Sequence, residues 1–284
     1  MISATTTNAN TTAGTSSSNR SRACNARGHV GRDRFRDGVA EVGILVASVS
    51  PVERSVSATN GISLAHRDWG DVGAPVMVLL HATGESSASW AALAPALARS
   101  FRVVAVDLRG HGNSDWPGAY SLEAMRDDVL GLLDDLGDAA VTLVGHSLGG
   151  AVAYLVTEAE PHRVARLVVE DACPPYPRDS PVPPRPAGEL GFDWELVAPL
   201  RAQLDDPSRR WWPALATITA PTLVIGGGPD SPVPQELLAE VAARVPDCQL
   251  ATIAVGHMVH DNAPQEFLQT LLGWTRAHPL DEVT

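Results

Sequence analysis

The chain has 284 residues, 44% of them hydrophobic and 19% charged, so one large core can be buried without a metal or a disulfide to hold it. Its net charge is -12, which argues against nucleic acid or an anionic membrane as a partner, because both recruit basic surfaces. No apolar run approaches the ~18 residues of a membrane span. Cys24, Cys173 and Cys248 have no metal-ligand spacing and fit free thiols in a reducing cytoplasm.

Residues 1–50 are polar, rich in Ser, Thr and Asn, and dotted with arginine. Such a segment cannot bury enough apolar surface to offset its ordering entropy, so it is expected to be a disordered N-terminal extension. The apolar stretch Val42 to Val49 is short for an export signal and has Glu41 at its edge, so a cytoplasmic location is expected.

From residue 51 to 284 the pattern is that of one domain. VERSVSAT and ISLAHRDWG predict two strands joined by a type I′ turn at Asn60-Gly61. PVMVLLH (75–81), FRVVAVD (101–107), AVTLVG (140–145), RLVVED (166–171) and PTLVIGG (221–227) are the near-continuous apolar runs of buried parallel strands. CQLATIAV (248–255) is a final strand. Helical spacing falls between them, at Trp90 to Ala98, Leu122 to Leu136, Ala151 to Glu158, Gln235 to Val245 and Pro264 to Ala277.

Strands alternating with helices at this spacing imply an α/β fold. Its sheet is mixed, mostly parallel and of about eight strands, with helices on both faces. Residues 173–220 break the rhythm with CPPYPRDSPVPPRP, too proline-rich for an element interior. They are expected to form a short lid insertion.

The chemistry concentrates in the loops that follow the strands. Gly145-His146-Ser147-Leu148-Gly149-Gly150 lies between a strand and a helix. A sharp turn there exposes Ser147 at a helix N-terminus, and the glycines let backbone pack closely around it. Serine needs a general base, and His257 follows the last strand, with His260 as the neighbour that would serve if the loop were arranged differently. The acid that orients the imidazole is expected at Asp230, in the loop after the fifth parallel strand, with Asp171 as the alternative. Backbone amides of Leu148 and Thr83 are the expected oxyanion donors.

The segments LLHATGESSASW, VVAVDLRGHGNSD, TLVGHSLGG, PTLVIGGGPDSPVP and VGHMVHDNAPQEF together resemble the α/β-hydrolase superfamily, of the single-domain, serine-nucleophile kind with a short lid. The resemblance runs from about Val52 to the C-terminus. It implies that the loop 107–114 is structural, so Asp107 and His111 are read as architecture. One departure is Ala82, where such proteins usually carry glycine, a change expected to tighten the oxyanion loop or alter its backbone angles.

Relatives with aspartate at the elbow hydrolyse epoxides or carbon–halogen bonds; Ser147 points instead to an acyl-enzyme. The expected activity is esterase-like, on a small-molecule carboxylic ester, lactone or thioester, with no cofactor and no metal. The alternatives are a ligand receptor on the same scaffold, or a carbon–carbon hydrolase, lyase or perhydrolase using the same residues.

Overall fold

The computed structural model describes residues 52–57, 61–137, 139–178, 181–205 and 208–280, the first of these segments by its backbone. The expectations for residues 1–50 and for Asn60 lie outside these residues.

Eight strands form one sheet: β1 Val52–Ser57, β2 Ser63–Trp69, β3 Val76–Leu80, β4 Arg102–Val106, β5 Val141–His146, β6 Val164–Glu170, β7 Thr222–Gly226 and β8 Cys248–Thr252. Their order is β1-β2-β4-β3-β5-β6-β7-β8. The β1–β2 and β2–β4 pairs are antiparallel, and every later pair is parallel. The opening hairpin pairs β1 with β2 in a register that sets Ser57 opposite Ser63.

The helices are α1 Ala94–Leu97, α2 Leu122–Leu136, α3 Leu148–Ala159, α4 Val197–Asp205, α5 Trp211–Ala214, α6 Gln235–Arg244, α7 Val259–Asn262 and α8 Pro264–Ala277. The strand period of two explains why the central runs are apolar throughout. Val78, Leu80, Val104 and Val106 join a core with α2, α3 and α6, while Met77, Leu79, Val103 and Ala105 join a second core with Trp90, α1 and α8. Each fully buried Val, Leu or Met side chain among them contributes about 1.5–3 kcal/mol.

The helix expected over Trp90 to Ala98 divides into a 3-10 segment, Ser87–Ala92, and α1, which begins with proline in its first turn. Arg166 ties the sheet to α8: from a buried position its guanidinium donates to Thr142 Oγ1 and to the carbonyls of Thr275 and His278, each at 3.0 Å.

The insertion between β6 and β7 runs over the carboxyl ends of the strands and is stitched to the 107–114 loop. Gly112 N–H donates to the Gly191 carbonyl and Asp193 N–H to the Gly110 carbonyl, both at 2.8 Å. The Tyr120 hydroxyl donates to Asp193 Oδ2 at 2.6 Å. That loop is itself braced as expected for architecture. Asp107 accepts from the Ser87 and Asn113 amides, and Arg109 grips Asp128 through two hydrogen bonds of 2.5 Å.

Candidate active site

Ser147 sits between β5 and α3 with φ +51°, a left-handed conformation that side chains rarely adopt. Close backbone packing enforces it. A Cβ on Gly145 would lie 2.3 Å from the Gly149 carbonyl oxygen, and one on Gly149 would lie 2.4 Å from the Leu80 carbonyl oxygen. Ser147 N–H donates to the Glu170 carbonyl at 3.1 Å, so the turn is pinned to the end of β6.

His257 Nε2 lies 2.9 Å from Ser147 Oγ, and its Nδ1 lies 2.6 Å from Asp171 Oδ2. The residue against the imidazole is therefore Asp171. Asp230, the acid expected from the sequence, is exposed and does not fill that place.

The reason is local. Asp171 follows β6 with φ +45°, and its amide donates to the Ile225 carbonyl of β7 at 2.7 Å. In the loop after β7 it is Ser231, not Asp230, that faces inward, donating its hydroxyl to Asp171 Oδ2. Gly227 N–H donates to Oδ1 at 2.8 Å. Burial alone would raise the Asp171 carboxyl, but the bonds from His257, Ser231 and Gly227 outweigh it and hold the group below the usual carboxylate range.

Thr83 and Leu148 both line the cavity that opens at Ser147. Leu148 is the first residue of α3, so its N–H has no partner within the helix. The Thr83 amide is set by His81. Leu108 N–H donates to His81 Nε2 at 3.0 Å, which leaves Nδ1–H to donate to the Ala82 carbonyl at 2.7 Å. Burial lowers the His81 pKa and keeps the ring neutral. With the Ala82 carbonyl held toward His81, the Thr83 N–H of the same trans peptide points the opposite way. Ala82 itself lies outside the left-handed region that Ser147 and Asp171 occupy, so alanine there needs no unusual backbone angle, contrary to one expectation from the sequence.

The cavity has a volume of about 90 Å³ and is walled by the insertion, through Cys173, Pro174, Pro175, Tyr176, Arg178 and Leu204, and by Val233. Of the aromatic side chains near the loops, only Tyr176 reaches it among the described residues. Trp90 is buried against His260. Trp211 packs in the core, and Trp212 donates its Nε1–H to the Pro175 carbonyl at 3.3 Å.

A family model described as the alpha/beta hydrolase fold matches residues 75–198. A solved hydrolase from Pseudomonas aeruginosa superposes with a TM-score of 0.69 at 26% identity, over 78% of this chain and 97% of that one. The chain has the α/β-hydrolase fold.

Among curated relatives, an sn-1-specific diacylglycerol lipase of Mus musculus is 29% identical over 256 residues, which is 71% of this chain and 81% of the lipase. A bifunctional esterase/perhydrolase of Acinetobacter calcoaceticus is 39% identical over 124 residues, 42% of this chain and 45% of its own. Epoxide hydrolase A of Mycobacterium tuberculosis is 39% identical over 147 residues, 50% of this chain and 45% of its own. The last two matches thus span under half of those proteins. These relatives agree on a hydrolase and differ in the bond their names say they cleave. No helix among the described residues is long and apolar enough to cross a membrane.

Proposed function

We propose that this protein is a serine hydrolase of small carboxylic esters or related acyl compounds, lactones and thioesters included, acting through an acyl-enzyme. The line Asp171–His257–Ser147, with contacts of 2.6 and 2.9 Å, carries the reading. An ionised Asp171 accepts Nδ1–H and so leaves Nε2 free to take the Ser147 proton. Oγ attacks the carbonyl, and the tetrahedral oxyanion is held by the Leu148 and Thr83 amides. A donor of this kind is worth ~3–4 kcal/mol of barrier. His257 returns the proton to the leaving alcohol, and water repeats the sequence on the acyl-enzyme. Every step uses the chain's own groups.

The acyl side is read from size. At about 90 Å³ the cavity is well under the roughly 300 Å³ at which drug-sized ligand sites begin, so short acyl chains are favoured. A cytoplasmic setting accords with Cys173 and Cys248, both free thiols pushed up by burial to about 12 and about 11.

A chain-length series of p-nitrophenyl esters, run beside lactones and thioesters, tests the proposal. Acetate and butyrate esters are expected to turn over fastest and long-chain esters poorly. A fluorophosphonate probe is expected to label the wild type and spare Ser147→Ala. Labelling that survives this substitution overturns the nucleophile, and a long-chain optimum overturns the size argument.

A further inference from the structure

Behind the Ser147 line lies a second array of titratable groups that the proposed reaction does not use. His146 and His260 are buried, at 0% and 1% exposure. Each has one ring nitrogen engaged and one without a hydrogen-bond partner among the described residues: Nδ1 of His146 and Nε2 of His260. His146 Nε2 lies 2.9 Å from the His257 carbonyl oxygen, which accepts only, so Nε2 carries a proton and Nδ1 is the nitrogen left for a cation. Burial lowers the His146 pKa, but the Glu170 and Glu85 carboxylates outweigh it and raise the ring, so a cation binds at Nδ1 by displacing a proton. His260 Nδ1 lies 2.8 and 2.9 Å from the two oxygens of Glu170, a fully buried carboxylate. There too a proton faces the acceptor, and Nε2 is the nitrogen left for a cation.

The Glu85 carboxylate is the third member. Its Oε2 lies 3.7 Å from His146 Nδ1, and one ligand atom from each of Glu85, His146 and His260 lies within 4.8 Å of the others. An imidazole whose far N–H is held by a carboxylate or a backbone carbonyl is how proteins orient histidine toward a metal. Here Glu170 and the His257 carbonyl hold the two rings in that way.

We propose that Glu85, His146 and His260 form a binding site for a divalent transition cation of the zinc class. Two neutral imidazoles and one carboxylate suit such an ion and not magnesium or calcium, which take oxygen ligands. Bond lengths near 2.1 Å require the three atoms to draw in by about 1 Å. Glu85, partly exposed and on the loop after β3, is the member free to move, whereas His260 is stacked under Trp90 at 4.2 Å. The sequence carries no sign of the cluster, because its members come from three distant places, the loop after β3, the end of β5 and α7, and have no ligand spacing.

Glu85 Oε2 also accepts from the Ala82 amide at 3.2 Å, next to Thr83. On the reading given under Proposed function, cation binding therefore disturbs the oxyanion loop and lowers the hydrolysis rate. The binding claim itself does not depend on that reading and is measured without turnover.

Full-length protein is stripped with a chelator, then titrated with Zn²⁺ by calorimetry and with Co²⁺ by visible absorption. One saturable equivalent is expected, with Co²⁺ bands of a nitrogen- and oxygen-ligated ion. Affinity should fall about tenfold or more in Glu85→Gln and in His260→Gln. Should His260→Gln fail to fold, Glu85→Gln carries the test, since its side chain is part-exposed. No saturable binding by the wild type, or equal binding by wild type and Glu85→Gln, overturns the site. Binding as expected with no change in ester turnover leaves the site standing and removes only the coupling to Thr83.

Discussion

At the scale of single residues, the acid is where the sequence and the folded chain part company. Asp171 and Asp230 both follow strands at the carboxyl edge of the sheet, so order along the chain does not separate them. What separates them is the turn conformation of Asp171 and the inward hydroxyl of Ser231, which hold one carboxylate at His257 Nδ1 and leave the other in solvent. Asp171→Asn is expected to lower kcat by about three to four orders of magnitude, because the amide favours the wrong imidazole tautomer. Asp230→Asn should stay within about twofold of wild type, within the range of ordinary surface changes. Steady-state kinetics of the two variants on one ester decide it; a collapse in Asp230→Asn with an active Asp171→Asn would reverse the assignment. Ser147 and His257, by contrast, are legible from the sequence. A serine between glycines at a strand-to-helix turn and a histidine just after the last strand have few other reasons to occupy those places.

At the scale of elements, periodicity identifies the buried strands to within a residue or two, and α2 over its whole length. It misses the four-residue helices α5 and α7, which are too short to show a period. It also runs two segments together before Pro95, where a proline starts a new helix. The insertion was visible as a break in rhythm, but its docking was not, since that depends on hydrogen bonds between distant loops. Asp193 is a focus of those bonds: its carboxylate takes the Tyr120 hydroxyl and the Glu195 amide, and burial pushes the Tyr120 phenol up to about 12, so it stays a donor. Asp193→Ala is expected to cost about 1–2 kcal/mol through the lost helix cap and the stranded hydroxyl. By loosening the wall over the cavity it should also raise KM more than it lowers kcat. Urea unfolding and kinetics on one preparation check both parts; an unchanged KM would show that the insertion's position does not depend on this bond.

At the scale of the whole molecule, acid sensitivity follows from the buried loop histidines. Burial lowers the His111 pKa from 6.5 to about 3. An unfolded chain therefore binds a proton below about pH 6.5 that the native chain refuses until about pH 3. Stability contributed by keeping this ring neutral is intact above that window and falls as pH drops through it. Between about pH 7 and about pH 5 the loss from His111 is roughly 2 kcal/mol, and His81, whose pKa burial also lowers, acts in the same direction. Denaturant unfolding across this range should show a shallower slope for His111→Gln than for the wild type; parallel slopes would mean the ring is protonated in the native state.

The left-handed backbone at Ser147 carries a lesson for anyone seeking hardier versions of this protein. Holding a non-glycine residue at φ +51° costs about 1–3 kcal/mol, more than the ~1 kcal/mol by which an added glycine loosens the unfolded chain. Ser147→Gly is thus expected to melt at a higher temperature than the parent while losing all turnover. Selection for heat resistance alone would enrich a durable but inert protein, so a thermostability screen needs an activity readout at every round.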